Sequence, residues 1–203
     1  MPIRAVFFDF GGVIQRTEFQ APRQQLAQRF NMDYDDIDKL VFGGGPNSTA
    51  ARASIGEIDV REHWKAIAKR LKIKESQIAE FESEFFAGDV LDMSIISYLR
   101  SLRPRFKTGL ISNAWSDMRD YLVRKKIDDT FDTLTISAEV GIAKPEAKIY
   151  HLALELAQVK ANEAVFVDDM PANIEACQQI GMKGILFKDP QEAMDQLKRL
   201  LKE

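Results

Sequence analysis

Near the start of the chain stands Ala5-Val6-Phe7-Phe8, four apolar residues with no polar alternation, followed by Asp9 and then Gly11-Gly12. A strand exposed on one face alternates apolar and polar residues. An unbroken apolar run is therefore expected where both faces are covered, as in a parallel sheet flanked by helices. The pattern recurs: Thr108-Gly109-Leu110-Ile111 leads into Ser112-Asn113, and Thr133-Leu134-Thr135-Ile136 into Ser137. Ala164-Val165-Phe166-Val167 leads into Asp168-Asp169, and Gly184-Ile185-Leu186-Phe187 into Lys188-Asp189. Between these runs lie helical spacings: Ile95, Leu99 and Leu102, then Ile149, Leu152, Leu156 and Val159. A last stripe of Ala193, Leu197, Leu200 and Leu201 is opened by Asp189-Pro190. Strand–helix alternation predicts parallel βα units with right-handed crossovers, hence an α/β fold with a doubly wound, Rossmann-like parallel sheet.

One stretch breaks the alternation. From about residue 15 to 86 no strand is expected, only helical patterns over residues 26–30, 37–42, 63–71 and 78–85, with a turn cluster at Gly43-Gly44-Gly45-Pro46-Asn47. This predicts a helical cap, residues 15–89, inserted after the first strand into a core of residues 1–14 and 90–203. Such a cap is expected over the C-terminal sheet edge, where open α/β sheets bind ligands. A chain of 203 residues is long enough for both units.

At that edge Asp9, Ser112-Asn113, Lys144 and Asp168-Asp169 should converge. The set is chemically coherent. Hard carboxylate oxygens suit Mg²⁺, a lysine compensates phosphate charge, and a carboxylate such as Asp9 is competent to attack phosphorus. Taken singly, Ser112-Asn113 reads as the cap of a helix opening near Ala114, and Lys144 as a solvated loop residue. Asp168-Asp169 is harder to explain alone, because adjacent acids after an apolar strand repel one another unless a positive group sits beside them.

Composition narrows the partners. The formal net charge is −3 with basic and acidic residues interspersed, which speaks against a nucleic-acid partner. No apolar run approaches membrane-spanning length, no secretory leader pattern is present, and Cys177 is the sole cysteine. A cytoplasmic protein acting on a small-molecule phosphorylated substrate, with no nucleic acid and no membrane, is expected. The oligomeric state is not legible. Cys177, His63 and His151 fall in helical patterns and are expected to be structural, as is Trp115. Gly43-Gly44-Gly45 lacks the lysine of a phosphate loop.

Phe7-Phe8-Asp9-Phe10-Gly11-Gly12-Val13-Ile14, Leu110-Ile111-Ser112-Asn113, Ala143-Lys144-Pro145 and Val165-Phe166-Val167-Asp168-Asp169-Met170-Pro171-Ala172-Asn173-Ile174 resemble, in order, the four motifs of the haloacid dehalogenase (HAD) superfamily. The inserted helices resemble that family's C1 cap, and Gly56-Glu57-Ile58 a short cap motif. The resemblance implies an Mg²⁺-dependent phosphoric monoester hydrolase. Asp9 would form an aspartyl-phosphate, with Asp9, the carbonyl of Gly11 and Asp169 on the metal and Asp168 on or next to it. Ser112 and the main chain of Asn113 would hold the phosphoryl group, and Lys144 would neutralise Asp9 and phosphate.

One position departs from the family's phosphatases: the acid/base aspartate usual two residues after the nucleophile is Gly11. That glycine resembles the sugar-phosphate phosphatase group, of the α-D-glucose-1-phosphate phosphatase kind. Two accommodations are open: a good leaving group, or a proton from Gln15, Thr17, Glu18 or Glu57. The alternatives are a metal-independent 2-haloacid dehalogenase, disfavoured by the paired acids, and a catalytically weak or inactive binding protein, favoured only by Gly11. A phosphomutase would need the missing acid.

Overall fold

A computed structural model describes residues 2–202. The first strand, β1 (Ala5–Phe8), is fully buried and lies at the centre of the main sheet. Chain order then runs through β2 (Gln15–Thr17), α1 (Ala21–Arg29), α2 (Tyr34–Phe42), α3 (Thr49–Ser54), α4 (Val60–Leu71), α5 (Ile78–Phe85), β3 (Asp89–Leu91) and α6 (Met93–Leu102). The remainder is β4 (Lys107–Ser112), α7 (Met118–Arg124), β5 (Thr133–Ile136), α8 (Ser137–Val140), α9 (Ala147–Ala157), β6 (Ala164–Asp168), α10 (Pro171–Gln179), β7 (Lys183–Leu186) and α11 (Pro190–Leu201).

The main sheet has five strands in the order β5-β4-β1-β6-β7, all pairs parallel. Each expected apolar run is one of these strands. Pleating sends Val6 and Phe8 into one core with Ile95, Ile96 and Leu99 of α6, Leu122 of α7 and Leu197 of α11. Ala5 and Phe7 enter a second core with Ile149 and Ala153 of α9 and Ile174 and Cys177 of α10. Helices on both faces are the reason β1 carries no polar alternation.

The helices of residues 21–85 close around a third core, where Leu26, Ile37, Val41, Trp64, Ile67, Phe81 and Phe85 meet. Three sequence expectations change. The stretch expected to lack strands contributes β2, which pairs antiparallel with β3 where the chain leaves and re-enters the main sheet region. Three residues reading Gln-Arg-Thr carry no apolar alternation, so this ribbon has no local signal. On α9 the buried face is Ile149, Tyr150, Ala153, Leu154 and Ala157, while Leu156 stays exposed. On α11 Ala193, Leu197 and Leu201 are buried and Leu200 is exposed. Among the described residues, no helix is long and apolar enough to cross a membrane.

Candidate active site

In register, Phe8 pairs with Leu110 on one side and Val167 on the other, so β1, β4 and β6 end at one edge. The strand order reverses about β1, which makes that edge a topological switch point. Asp9, directly after β1, is buried, and its backbone N–H donates to the Val167 carbonyl at 2.9 Å. Ser112 closes β4 and Asp168 closes β6, both buried.

Lys144 enters from the loop before α9. Its Nζ lies 2.8 Å from Asp9 Oδ1 and 2.7 Å from Asp168 Oδ2, with the side chain only 1 % exposed. The positive group that Asp168-Asp169 required is therefore Lys144, and its burial excludes a solvated loop lysine. The backbone of Lys144 is fixed by the Asn113 side chain. Asn113 Oδ1 accepts the Lys144 N–H at 2.8 Å, and Asn113 Nδ2 donates to the Lys144 carbonyl at 3.0 Å. Since α7 opens only at Met118 with Asp117 at its N-cap, Ser112-Asn113 does not cap a helix at Ala114.

The two adjacent acids occupy different surroundings. Asp168 Oδ1 accepts the Met170 N–H at 2.8 Å, and Asn173 Nδ2 reaches Oδ1 and Oδ2 at 3.0 and 3.1 Å. With Lys144 on Oδ2, both oxygens are engaged. Asp169 is half-buried and stands against Gly12, which has φ +78°. A Cβ at Gly12 would come within 2.3 Å of Asp169 Oδ2, so only glycine admits both this backbone and this approach.

Asp9, Asp168 and Asp169 each offer an oxygen, and these atoms lie within 4.8 Å of one another. Three carboxylates face the single ammonium of Lys144, a charge imbalance suited to a dication. Burial, then the charge of Asp168, push the Asp9 carboxyl up to about 6 against the pull of Lys144. Burial and Asp168 also raise Asp169. The donor set, all hard carboxylate oxygen, fits Mg²⁺.

Other expected residues lie outside this cluster. Gln15 Oε1 accepts from the Tyr121 hydroxyl, and its Nε2 donates to Asp89 at 3.5 Å. Thr17 Oγ1 donates to Asp89 at 2.9 Å. Glu18 pairs with Arg16 and Glu57 with Arg52, each at 3.1 Å. Gly56 lies so close to Ala138 that a Cβ would be 2.1 Å from its carbonyl oxygen, docking Gly56-Glu57-Ile58 on the start of α8. Trp115 packs against Phe42, Trp64 and His63 at centroid distances of 5.8, 5.5 and 5.3 Å. Cys177 is buried. His63 bonds Thr49 and the Val41 carbonyl.

Sequence reasoning missed the parts played by Asn173 and Gly12. A polar residue five positions after Asp168, on the first turn of a helix opened by Pro171, was the available signal for Asn173.

Comparisons with known proteins place the fold and the family. The chain is 27% identical over 217 residues to the rat (Rattus norvegicus) bifunctional epoxide hydrolase 2, covering 98% of this chain but only 39% of that protein. It thus spans well under half the length of that relative. It is 24% identical to the D-ribitol-5-phosphate phosphatase of Bacteroides thetaiotaomicron, covering 89% of this chain and 90% of that one. A HAD family enzyme from Bacteroides thetaiotaomicron, solved with magnesium and inorganic phosphate, superposes with a TM-score of 0.76 at 20% identity, covering 92% and 94% of the two chains. The family model for haloacid dehalogenase-like hydrolases matches residues 3–181, most of the chain, and the protein belongs to that family.

Proposed function

We propose that the protein is a Mg²⁺-dependent phosphatase of a small phosphorylated metabolite, sugar phosphates being the favoured class, with Asp9 as the phosphoryl acceptor. The observation that carries this reading is the Lys144 ammonium shared by Asp9 and Asp168, with Asp169 beside them. A carboxylate nucleophile must be ionised, and burial alone works against that; Lys144 is the group in place to favour the anion.

In this reading an Asp9 oxygen forms a bond to phosphorus as the ester P–O bond breaks, and the leaving oxygen departs with that bond's electrons. Water then attacks the aspartyl-phosphate at phosphorus, releasing phosphate and restoring Asp9. Ser112 and the main chain of Asn113 hold the phosphoryl oxygens, and Lys144 offsets their charge. Mg²⁺ would be held by Asp9, Asp169 and the carbonyl of Gly11, and when bound it supplies positive charge against the transferring group. Asp168, with both oxygens engaged, serves to position Lys144. Residues 15–89 act as the cap over a core of residues 1–14 and 90–203, limiting the site to small substrates. The activity is assigned to the cytoplasm, where Cys177 would stay reduced.

Family membership and the D-ribitol-5-phosphate phosphatase of Bacteroides support the reaction class, and the magnesium and phosphate of the solved fold neighbour support the metal. The test is hydrolysis of 4-nitrophenyl phosphate with Mg²⁺, expected to vanish in Asp9→Asn and to be suppressed by EDTA. Chloride release from 2-chloropropionate in EDTA would overturn the proposal in favour of a dehalogenase. No turnover together with no Mg²⁺ binding would favour a binding protein.

A further inference from the structure

Resting on the phosphatase reading, we infer that this site gives its leaving group no side-chain proton. Its substrates are therefore phosphate esters or anhydrides of acidic hydroxyls: phenolic, enolic, acyl or anomeric rather than simple alkyl. When the ester bond breaks, the leaving oxygen takes both electrons. An alkyl oxygen leaving as a bare alkoxide needs a donor within hydrogen-bond reach, whereas an acidic oxygen tolerates the charge.

The charged side chains gathered at the sheet edge are already engaged. Asp9 makes the new bond to phosphorus. Lys144 is held between Asp9 and Asp168, and Asp168 is saturated by Lys144, Asn173 and the Met170 N–H. Asp169 lies against Gly12 within the carboxylate cluster. The four residues whose sequence position suggested a substitute acid are also engaged: Gln15 by Tyr121, Thr17 by Asp89, Glu18 by Arg16 and Glu57 by Arg52. Two further carboxyls, Glu82 on α5 and Asp117 before α7, are raised chiefly by burial, and Arg124 pulls both down. Neither belongs to the carboxylate group formed by Asp9, Asp168 and Asp169, whose oxygens lie within 4.8 Å of one another.

Gly11 marks the opening. It is exposed, its φ lies outside the left-handed region, and a Cβ built on it would meet nothing within 4 Å. Neither backbone conformation nor crowding requires glycine there. The position, two residues after Asp9, has open space and no side chain to fill it.

The experiment compares phenyl phosphate with cyclohexyl phosphate, which match in size and differ in the acidity of the leaving oxygen, each with Mg²⁺ and with Asp9→Asn as control. Wild type should favour phenyl phosphate in kcat/KM by about 100-fold or more, the low end of what general acid help is worth. In Gly11→Asp that ratio should narrow by about 100-fold, and an alkaline limb should appear in the pH profile for the alkyl ester. Wild-type rates on the two esters within about tenfold of one another, both dependent on Asp9, would overturn this inference and leave the phosphatase intact. Absence of Asp9-dependent turnover on phenyl phosphate would overturn the phosphatase reading itself. The wild-type comparison decides the matter even if Gly11→Asp does not fold.

Discussion

Replacing Lys144 by Met tests the electrostatic design of the site without metal or substrate. Met keeps most of the length and apolar contact of the lysine stem, including its position beside the Phe166 ring, and removes only the ammonium. That ammonium lies 2.8 Å from Asp9 and 2.7 Å from Asp168, whose side chains are 11 % and 0 % exposed. Exposed ion pairs are worth about 0–1 kcal/mol, but removing one partner of a buried pair costs about 3–5 kcal/mol because the remaining charge is stranded. With urea slopes of about 2–3 kcal/mol/M, the unfolding midpoint of Lys144→Met in EDTA at pH 7 should fall by about 1–2.5 M.

The loss should depend on pH in a defined direction. Asp9 already sits at about 6 when folded, against 3.8 for an ordinary aspartate. Between these values the folded state retains a proton that the unfolded state has released, so stability falls as pH rises through the window. Removing Lys144 moves the upper end of the window higher. The variant should therefore recover part of its deficit at pH 5, where the stranded carboxyls take up protons. Adding Asp9→Asn to Lys144→Met should restore part of it at pH 7. The measurement is urea unfolding followed by far-UV circular dichroism. A loss below about 1 kcal/mol at pH 7, or one equal at pH 5 and 7, would refute the argument.

Gly12→Ala places a methyl 2.3 Å from Asp169 Oδ2 at a φ of +78°. It should cost about 1–2 kcal/mol of stability and weaken Mg²⁺ binding at least about tenfold by calorimetry; unchanged affinity would remove Asp169 from the metal site. Asn113→Ala removes both side-chain bonds to the Lys144 main chain and should cost about 1–3 kcal/mol, with a fall in kcat exceeding any change in KM. His63 has its pKa lowered by burial, against the bond to the Val41 carbonyl. The stability it lends is full above about 6.5 and is lost as the pH falls from there through the lowered folded value, so His63→Gln should flatten that part of the pH–stability curve.

The strands of the main sheet, and the positions of Asp9, Ser112 and Asp168 at their C-terminal ends, are legible from local sequence. Burial on both faces writes an unbroken apolar run into adjacent residues, and parallel pairing brings the ends of such runs together whatever their separation along the chain. Other features depended on contacts between distant residues. The β2/β3 ribbon joins two three-residue segments whose paired residues lie 72 to 76 positions apart, and the buried face of α9 was set by the sheet it lies on. That Asn113 would use its side chain on Lys144 rather than cap a helix required the loop before α9 to come alongside.

The clearest division is between Asp168 and Asp169, adjacent residues of one type. Sequence marked the pair as needing a positive neighbour. Contacts made in the folded chain assign Lys144, Asn173 and the Met170 N–H to Asp168, at the end of β6, while Asp169 faces the space left by Gly12. The physical reason is that a carboxylate's task follows from the donors and charges around it, and those arrive here from β1, from the loop before α9 and from α10.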